Sequence, residues 1–296
     1  GTCNGGVDYA TALSATRHHY GTTNYTDTVS LPGLETKTVQ LRDGNPRLWV
    51  TTGTASYDTW GRPLTATDPL SNTTSTSYSH TTGGLLSATT TTSPDPDGAG
   101  ALTPHTTTVS YDTRLGAPIK TVQPGGQTSE AALDALGRVT SVWQPGQPKT
   151  SPASATYSYT ISKTTTSSVT SKTLLPTGTT YTTTIALLDS ILRPRQTQTQ
   201  SAAGGRIITD TRYDSRGATV LSDTYYNADV PATTLVMPTF RDNITTSHRY
   251  SVDFAGRTTI DALYGNETLR WQTVTGYLGD RTTVTPPAGG TPTTTM

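Results

Sequence analysis

The chain has 296 residues, enough for one large domain or two ordinary ones, and its 21 basic and 21 acidic side chains cancel. Charged residues make up only 14% of it, against about 25% in an ordinary globular domain, and 69 threonines fill much of the difference. Zero net charge argues against a charge-driven disordered tail and against non-specific nucleic-acid binding, and the single cysteine, Cys3, excludes an intrachain disulfide or a cysteine zinc site.

No run approaches the ~18 consecutive apolar residues of a membrane helix. The N-terminus has no basic stretch leading into an apolar core, so no secretory leader is expected in it. A role for Cys3 as a reactive thiol is disfavoured against that of a terminal residue with no role. Threonine and tyrosine are strand formers, so a neutral, threonine-rich chain reads as polar β-sheet.

Taken in chain order, one short motif recurs. Tyr57-Asp58-Thr59-Trp60-Gly61-Arg62 leads into Pro63-Leu64-Thr65. Tyr111-Asp112-Thr113-Arg114-Leu115-Gly116 is a looser copy with one extra residue before the glycine. Leu133-Asp134-Ala135-Leu136-Gly137-Arg138 leads into Val139-Thr140. Leu188-Asp189-Ser190-Ile191-Leu192-Arg193 has lost the glycine. Tyr213-Asp214-Ser215-Arg216-Gly217 and Val252-Asp253-Phe254-Ala255-Gly256-Arg257 complete the series. Aspartate opening a type I turn can accept a hydrogen bond from the backbone two residues on, and a glycine three residues later supplies positive φ, which together close a bulged hairpin. The structural turn residues are therefore Asp58, Gly61 and Arg62; Asp112 and Gly116; Asp134, Gly137 and Arg138; Asp214 and Gly217; and Asp253, Gly256 and Arg257.

The irregular spacing of these aspartates does not fit a rigid solenoid. Segments between them, among them 106–111, 156–161, 180–185, 206–213 and 273–277, are rich in Thr, Val, Ile and Tyr, and glycine and proline punctuate them. At about 8–12 residues per strand and turn, roughly 25–35 strands are expected. The stretch 129–137 carries helix signals, but it overlaps a repeat, and strand followed by turn is favoured. Segments 73–79, 89–93, 162–168 and 196–201 are polar on both faces. That predicts a single curved layer wetted on both sides, held by cross-strand contacts of roughly 0.2–1 kcal/mol each.

The motif resembles the Rhs/YD-repeat family, whose consensus is close to Tyr-Asp-x-x-Gly-Arg followed by a Leu/Val-Thr strand. Tyr57 to Thr65 and Leu133 to Thr140 match it, and longer stretches look like Rhs-repeat proteins of filamentous actinobacteria. The resemblance covers most of 57–296, the repeat segment, while 1–56, read as N-terminal strands, matches weakly. It implies an all-β fold, a curved antiparallel β-hairpin strip forming part of a hollow spiral shell. The implied role is enclosure of a toxin or other cargo by a secreted or cell-surface bacterial protein. Its partners would be the remainder of the shell and the enclosed polypeptide, with no cofactor, no nucleic acid and no membrane span. The family's C-terminal core box, with its self-cleavage aspartate, has no counterpart here and no toxin domain follows Met296, so no catalysis is expected. Open strand edges invite self-association.

Other chemistry is weakly signalled. Adjacent residues of a strand point to opposite faces, which disfavours a shared metal at His18-His19, and His80, His105 and His248 are scattered; surface histidines are favoured. Asp95-Pro96-Asp97-Gly98 lacks the oxygen-ligand pattern of a calcium loop. Glutamates are few (Glu35, Glu130, Glu267), and most aspartates sit in turns, which argues against a glycosidase pair. Trp49, Trp60, Trp143 and Trp271 with 15 tyrosines keep a carbohydrate-binding or adhesive surface as the alternative, although packing between strands is favoured for the repeat tyrosines. The sequons at Asn24, Asn72, Asn243 and Asn266 carry little weight if the source is bacterial, as the resemblance implies.

Overall fold

The computed structural model describes residues 14–21, 33–42, 48–98 and 100–296; Cys3 and the Asn24 sequon lie outside them. Two compact units divide the chain, one running to Gly137 with Gln144–Gly146, the other holding Arg138–Trp143 and Gln147–Met296. The first contains β1 (Thr16–Tyr20), β2 (Glu35–Arg42), β3 (Leu48–Tyr57), β4 (Pro63–Thr67), β5 (Thr73–His80), β6 (Leu86–Thr92), β7 (Thr106–Asp112), β8 (Ala117–Val122) and β9 (Thr128–Leu133). The second contains β10 (Val139–Trp143), β11 (Ala155–Thr160), β12 (Ser168–Leu174), β13 (Tyr181–Leu188), β14 (Pro194–Gln200), β15 (Arg206–Tyr213), β16 (Thr219–Asn227), β17 (Thr246–Val252), β18 (Thr258–Gly265), β19 (Thr268–Leu278), β20 (Arg281–Thr285) and β21 (Thr293–Thr295).

The 21 strands belong to one sheet. Within each unit every strand pairs antiparallel with the next in sequence, so the fold is an all-β strip of hairpins. The only helical turns among the described residues are 3-10 turns at Pro124–Gly126 and Arg241–Asn243. Among the described residues no helix is long and apolar enough to cross a membrane.

Threonine supplies the ladders. On β6 and β7, Thr90, Thr91 and Thr92 face Thr108, Thr107 and Thr106, and the hydroxyls of Thr90 and Thr108 lie 3.2 Å apart. Such pairs match β-branched side chains to a pleated surface and spread stability thinly over many rungs.

Three readings of the sequence are corrected. The described strands number 21 rather than 25–35, because individual strands reach 11 residues and long connections such as 228–245 hold none. Residues 161–167 form a loop rather than a strand: the Ser162 hydroxyl accepts from the amides of Thr164 and Thr165, an alternative to ladder pairing that serine offers readily. The segment 196–201 is polar but not wetted on both faces, as described below. At 129–137, strand and turn prevail over helix, since Glu130 pairs with Lys120 across β8 and β9 in register and in charge, with 3.3 Å between Nζ and Oε1.

Little of the strip is a dry core. Eight apolar side chains are buried among the described residues, and seven of them lie in the second unit. There Ile208, Tyr225 and Ile244 cluster, with Val236 packed against them.

Candidate functional site

The turns repeat one set of bonds. The amide of Asp58 donates to the Arg62 carbonyl at 2.9 Å and that of Gly61 to the Asp58 carbonyl at 3.0 Å. The Asp58 carboxylate accepts from the amides of Trp60 and Arg62 and from Arg62 Nε. Asp253 does the same with Ala255 and Arg257. At Asp189 the set persists, but Leu192 replaces the glycine and takes φ +64°. At Asp214 the arginine precedes the glycine, so Arg216 reaches back to the carboxylate while Ala218 supplies the second amide. At Asp112 the extra residue moves the positive φ to Gly116, and Arg114 holds the carboxylate. Asp134 accepts from the Leu136 amide, and Gly137 has φ +80°. A copy without the motif closes 68–72, with Ser71 at φ +70° and Asn72 in the arginine's place.

These donors lower the carboxyl pKa of Asp58, Asp112, Asp189, Asp214 and Asp253. Asp112 is drawn down to about 2, first by the Arg114 side chain and then by its amide. Asp253 is lowered chiefly by the Arg257 amide. At Asp58, Asp189 and Asp214, desolvation is the largest single influence and pushes upward, but the amide and guanidinium donors together outweigh it.

Four of the motif arginines then reach the strand after next. Arg62 lies over the ring of Tyr78 at 4.1 Å, Arg138 over Tyr159 at 4.4 Å, Arg193 over Tyr213 at 4.1 Å and Arg257 over Tyr277 at 4.2 Å. Each tyrosine hydroxyl donates to the carbonyl of the residue after that arginine: Pro63, Val139, Pro194 and Thr258. Turn and the strand after next are thus latched through a cation–π contact and a hydrogen bond. Repeat counting located the turns but gave the arginine no partner. The signal was present in the spacing, a tyrosine 16 to 21 residues after each arginine.

Beyond each turn the ladder slips by one residue. Leu188 faces Pro194 but Leu187 faces Gln196, which leaves Arg195 as the bulged residue. A bulge re-aims its side chain, and Arg195 and Gln196 accordingly both contact the carboxylate of Asp210. That carboxylate belongs to a covered face. Ser168, Leu187, Gln196, Asp210, Asp223 and Ser247 face one another in sequence across β12 to β17, each at most 2% exposed. Ile185, Gln198, Ile208 and Tyr225 form the adjacent buried row.

The cover is the segment 228–245. The Gln196 amide group bonds both the carbonyl and the amide of Val236, at 2.7 and 2.9 Å. Gln198 takes the Thr234 carbonyl and the Ala232 amide, each at 2.8 Å. Arg206 donates to the Val230 carbonyl and the Tyr225 hydroxyl to that of Val236. Side-chain amides here replace the peptide groups of a neighbouring strand, and all six bonds go to backbone. The segment's far end is pinned by the two-residue turn Asn266-Glu267, both at positive φ, where Asn266 bonds the carbonyls of Ile244 and Asp242 and Glu267 pairs with Arg241 and Arg249. Burial pushes the Tyr225 hydroxyl up to about 12, with Asp210 and Asp223 adding to it.

The remaining candidates are separately engaged. His18 is exposed and bonds Glu35, whereas neighbouring His19 is 7% exposed, so the expectation of surface histidines fails there: the alternation of β1 turns it inward. His248 bonds Asp261 and packs edge-on to Trp271. Trp49 lies under Arg17, Trp60 beside Arg62 and His80, and Trp143 donates to the Ser151 carbonyl. Asp95 and Asp97 form an exposed turn. Among the described residues no group of three or more His, Cys, Asp or Glu converges as a metal site.

No family model and no curated protein matches the chain. Solved structures do. A crystal structure of TcdB2-TccC3-TEV matches at 14% identity and TM-score 0.57, and the Photorhabdus luminescens Tc holotoxin pore carrying TccC3-D651A matches at the same values; both alignments cover 95% of this chain. A TcdB2-TccC3-Cdc42 structure matches at 13% identity and TM-score 0.56. In fold, this chain is similar to TcdB2-TccC3. It spans only 14% of the length of those TcdB2-TccC3 chains, so the likeness concerns the β-strip and not the whole assembly.

Proposed function

We propose that the chain is a stretch of an Rhs/YD-type shell wall, part of a secreted or cell-surface bacterial protein that encloses a toxin or other polypeptide for export. The observation that carries this reading is the similarity in fold to TcdB2-TccC3 along 95% of the chain. The latched hairpins support it: a wall with polar faces needs stability distributed along its length, and each Asp–Arg–Tyr unit fastens one turn to the strand after next. The partners are the neighbouring stretches of wall and the enclosed polypeptide, and the role is steric, with no catalytic step assigned.

Limited proteolysis of the protein with its flanking sequence tests this. Enclosure predicts that a downstream polypeptide survives protease as long as the wall is intact, and is digested once Arg193→Ala and Arg257→Ala loosen two latches. Equal digestion of the downstream polypeptide inside the protein and as a free fragment overturns the reading.

A further inference from the structure

One latch carries two arginines that latching does not use. In the repeats built on Arg62, Arg138 and Arg257, the second residue after the arginine is Leu64, Thr140 or Thr259, and the residue before the partner tyrosine is Ser77, Ser158 or Gly276. In the repeat built on Arg193 those two positions are Arg195 and Arg212. Together with Asp189, Tyr213 and Met237 the three arginines line a pocket of about 450 Å³.

Their charges are not fully matched. Arg193 is paired with Asp189, and Arg195 is held by Asp210 and the Thr211 carbonyl. Arg212 shares Asp210 only at 3.7 Å, and its Nε is buried without a hydrogen-bond partner. Three guanidinium groups thus face two carboxylates, and the surplus charge and the unpartnered Nε belong to Arg212. A buried donor without an acceptor is costly, and guanidinium forks match planar and tetrahedral oxyanions well.

We propose that this pocket binds a small oxyanion, a carboxylate or phosphate group seated on Arg212 and flanked by Arg193 and Arg195, with Tyr213 and Met237 forming its less polar wall. The bulge at Arg195 makes the site possible, because it brings a residue that would otherwise face away to the side of Asp210.

The test titrates the full chain with inorganic phosphate and, separately, with acetate at constant ionic strength, followed by NMR shifts of the arginine side chains. Saturable binding is expected, weakened about tenfold or more by Arg212→Gln, the loss of a charge-assisted contact, and unchanged by Arg281→Gln, which removes the same charge elsewhere. Met237→Glu, at an exposed position, places a carboxylate at the pocket mouth and is expected to abolish binding without touching an arginine. Tighter phosphate than acetate points to a phosphorylated ligand, and the reverse to a carboxylate. Binding that is absent, or that falls equally with Arg281→Gln, overturns the proposal, as does binding that survives both pocket variants.

Discussion

The guanidinium of Arg193 lies 4.1 Å from the centre of the Tyr213 ring, and that tyrosine's hydroxyl donates at 2.8 Å to the carbonyl of Pro194, the arginine's own neighbour. The two residues therefore form a closed loop of interactions between a turn and the strand after next. Tyr213→Phe keeps the ring and removes the hydrogen bond, for an expected loss of about 0.5–1.5 kcal/mol. Arg193→Ala removes the cation as well, worth about 0.5–1 kcal/mol at an exposed site. Urea unfolding of both single variants and the double variant checks the coupling, and strictly additive losses would show that the latch is only proximity.

The turns also rank by backbone strain. Leu192 sits at φ +64° where the matching turns have glycine, and it is half exposed, so little burial is lost on replacing it. Leu192→Gly is expected to stabilise by about 0.5–1 kcal/mol, the left-handed penalty outweighing the freedom gained by the unfolded chain. The converse substitutions separate strain from crowding. Gly256→Ala meets nothing within 4 Å and loses about 1 kcal/mol from φ alone, whereas at Gly61 the new methyl also presses on Leu34 at 3.3 Å. A larger fall in thermal midpoint for Gly61→Ala than for Gly256→Ala is the expected order.

The hairpin strip was legible because the turn chemistry is local: aspartate and glycine at a fixed offset impose their geometry wherever they occur. The covered face of the second unit was not legible. Gln196 and Gln198 read as a wetted, polar strand because nothing in β14 itself says that a segment 34 to 40 residues later supplies its backbone as their partner. Arg195 was equally hidden, since strict alternation assigns it to the other face and only the bulge reverses that. Local patterning predicts elements and turns, whereas burial of a polar row depends on a long-range partner that hydrophobic periodicity cannot report.

That cover should come off at identifiable amides. Gln196→Ala removes the acceptor of the Val236 amide, and Gln198→Ala that of Ala232. An unsatisfied group of this kind costs about 1–3 kcal/mol. Hydrogen exchange should therefore quicken selectively, at Val236 in the first variant and at Ala232 in the second, while the β14–β15 ladder amides stay protected. Uniform quickening across the second unit would mean instead that the glutamines hold the sheet and not the cover.

Stability is expected to fall at both ends of the pH scale for different reasons. Asp58, Asp112, Asp189, Asp214 and Asp253 have folded pKa values below the ordinary carboxylate value, so their contribution is complete above about pH 4 and is lost as pH drops through the folded values, for Asp112 between roughly 4 and 2. Asp112→Asn should flatten that part of the acid limb. At Tyr225 the sign reverses: the hydroxyl is raised from 10 to about 12, so its contribution is intact below pH 10 and is lost between about 10 and 12 as the phenolate forms and can no longer donate to Val236. Tyr225→Phe removes that donor at every pH and should leave the alkaline limb shallower, read by urea midpoints from pH 8 to 12. An alkaline limb of unchanged slope in this variant would place the loss at the other tyrosines.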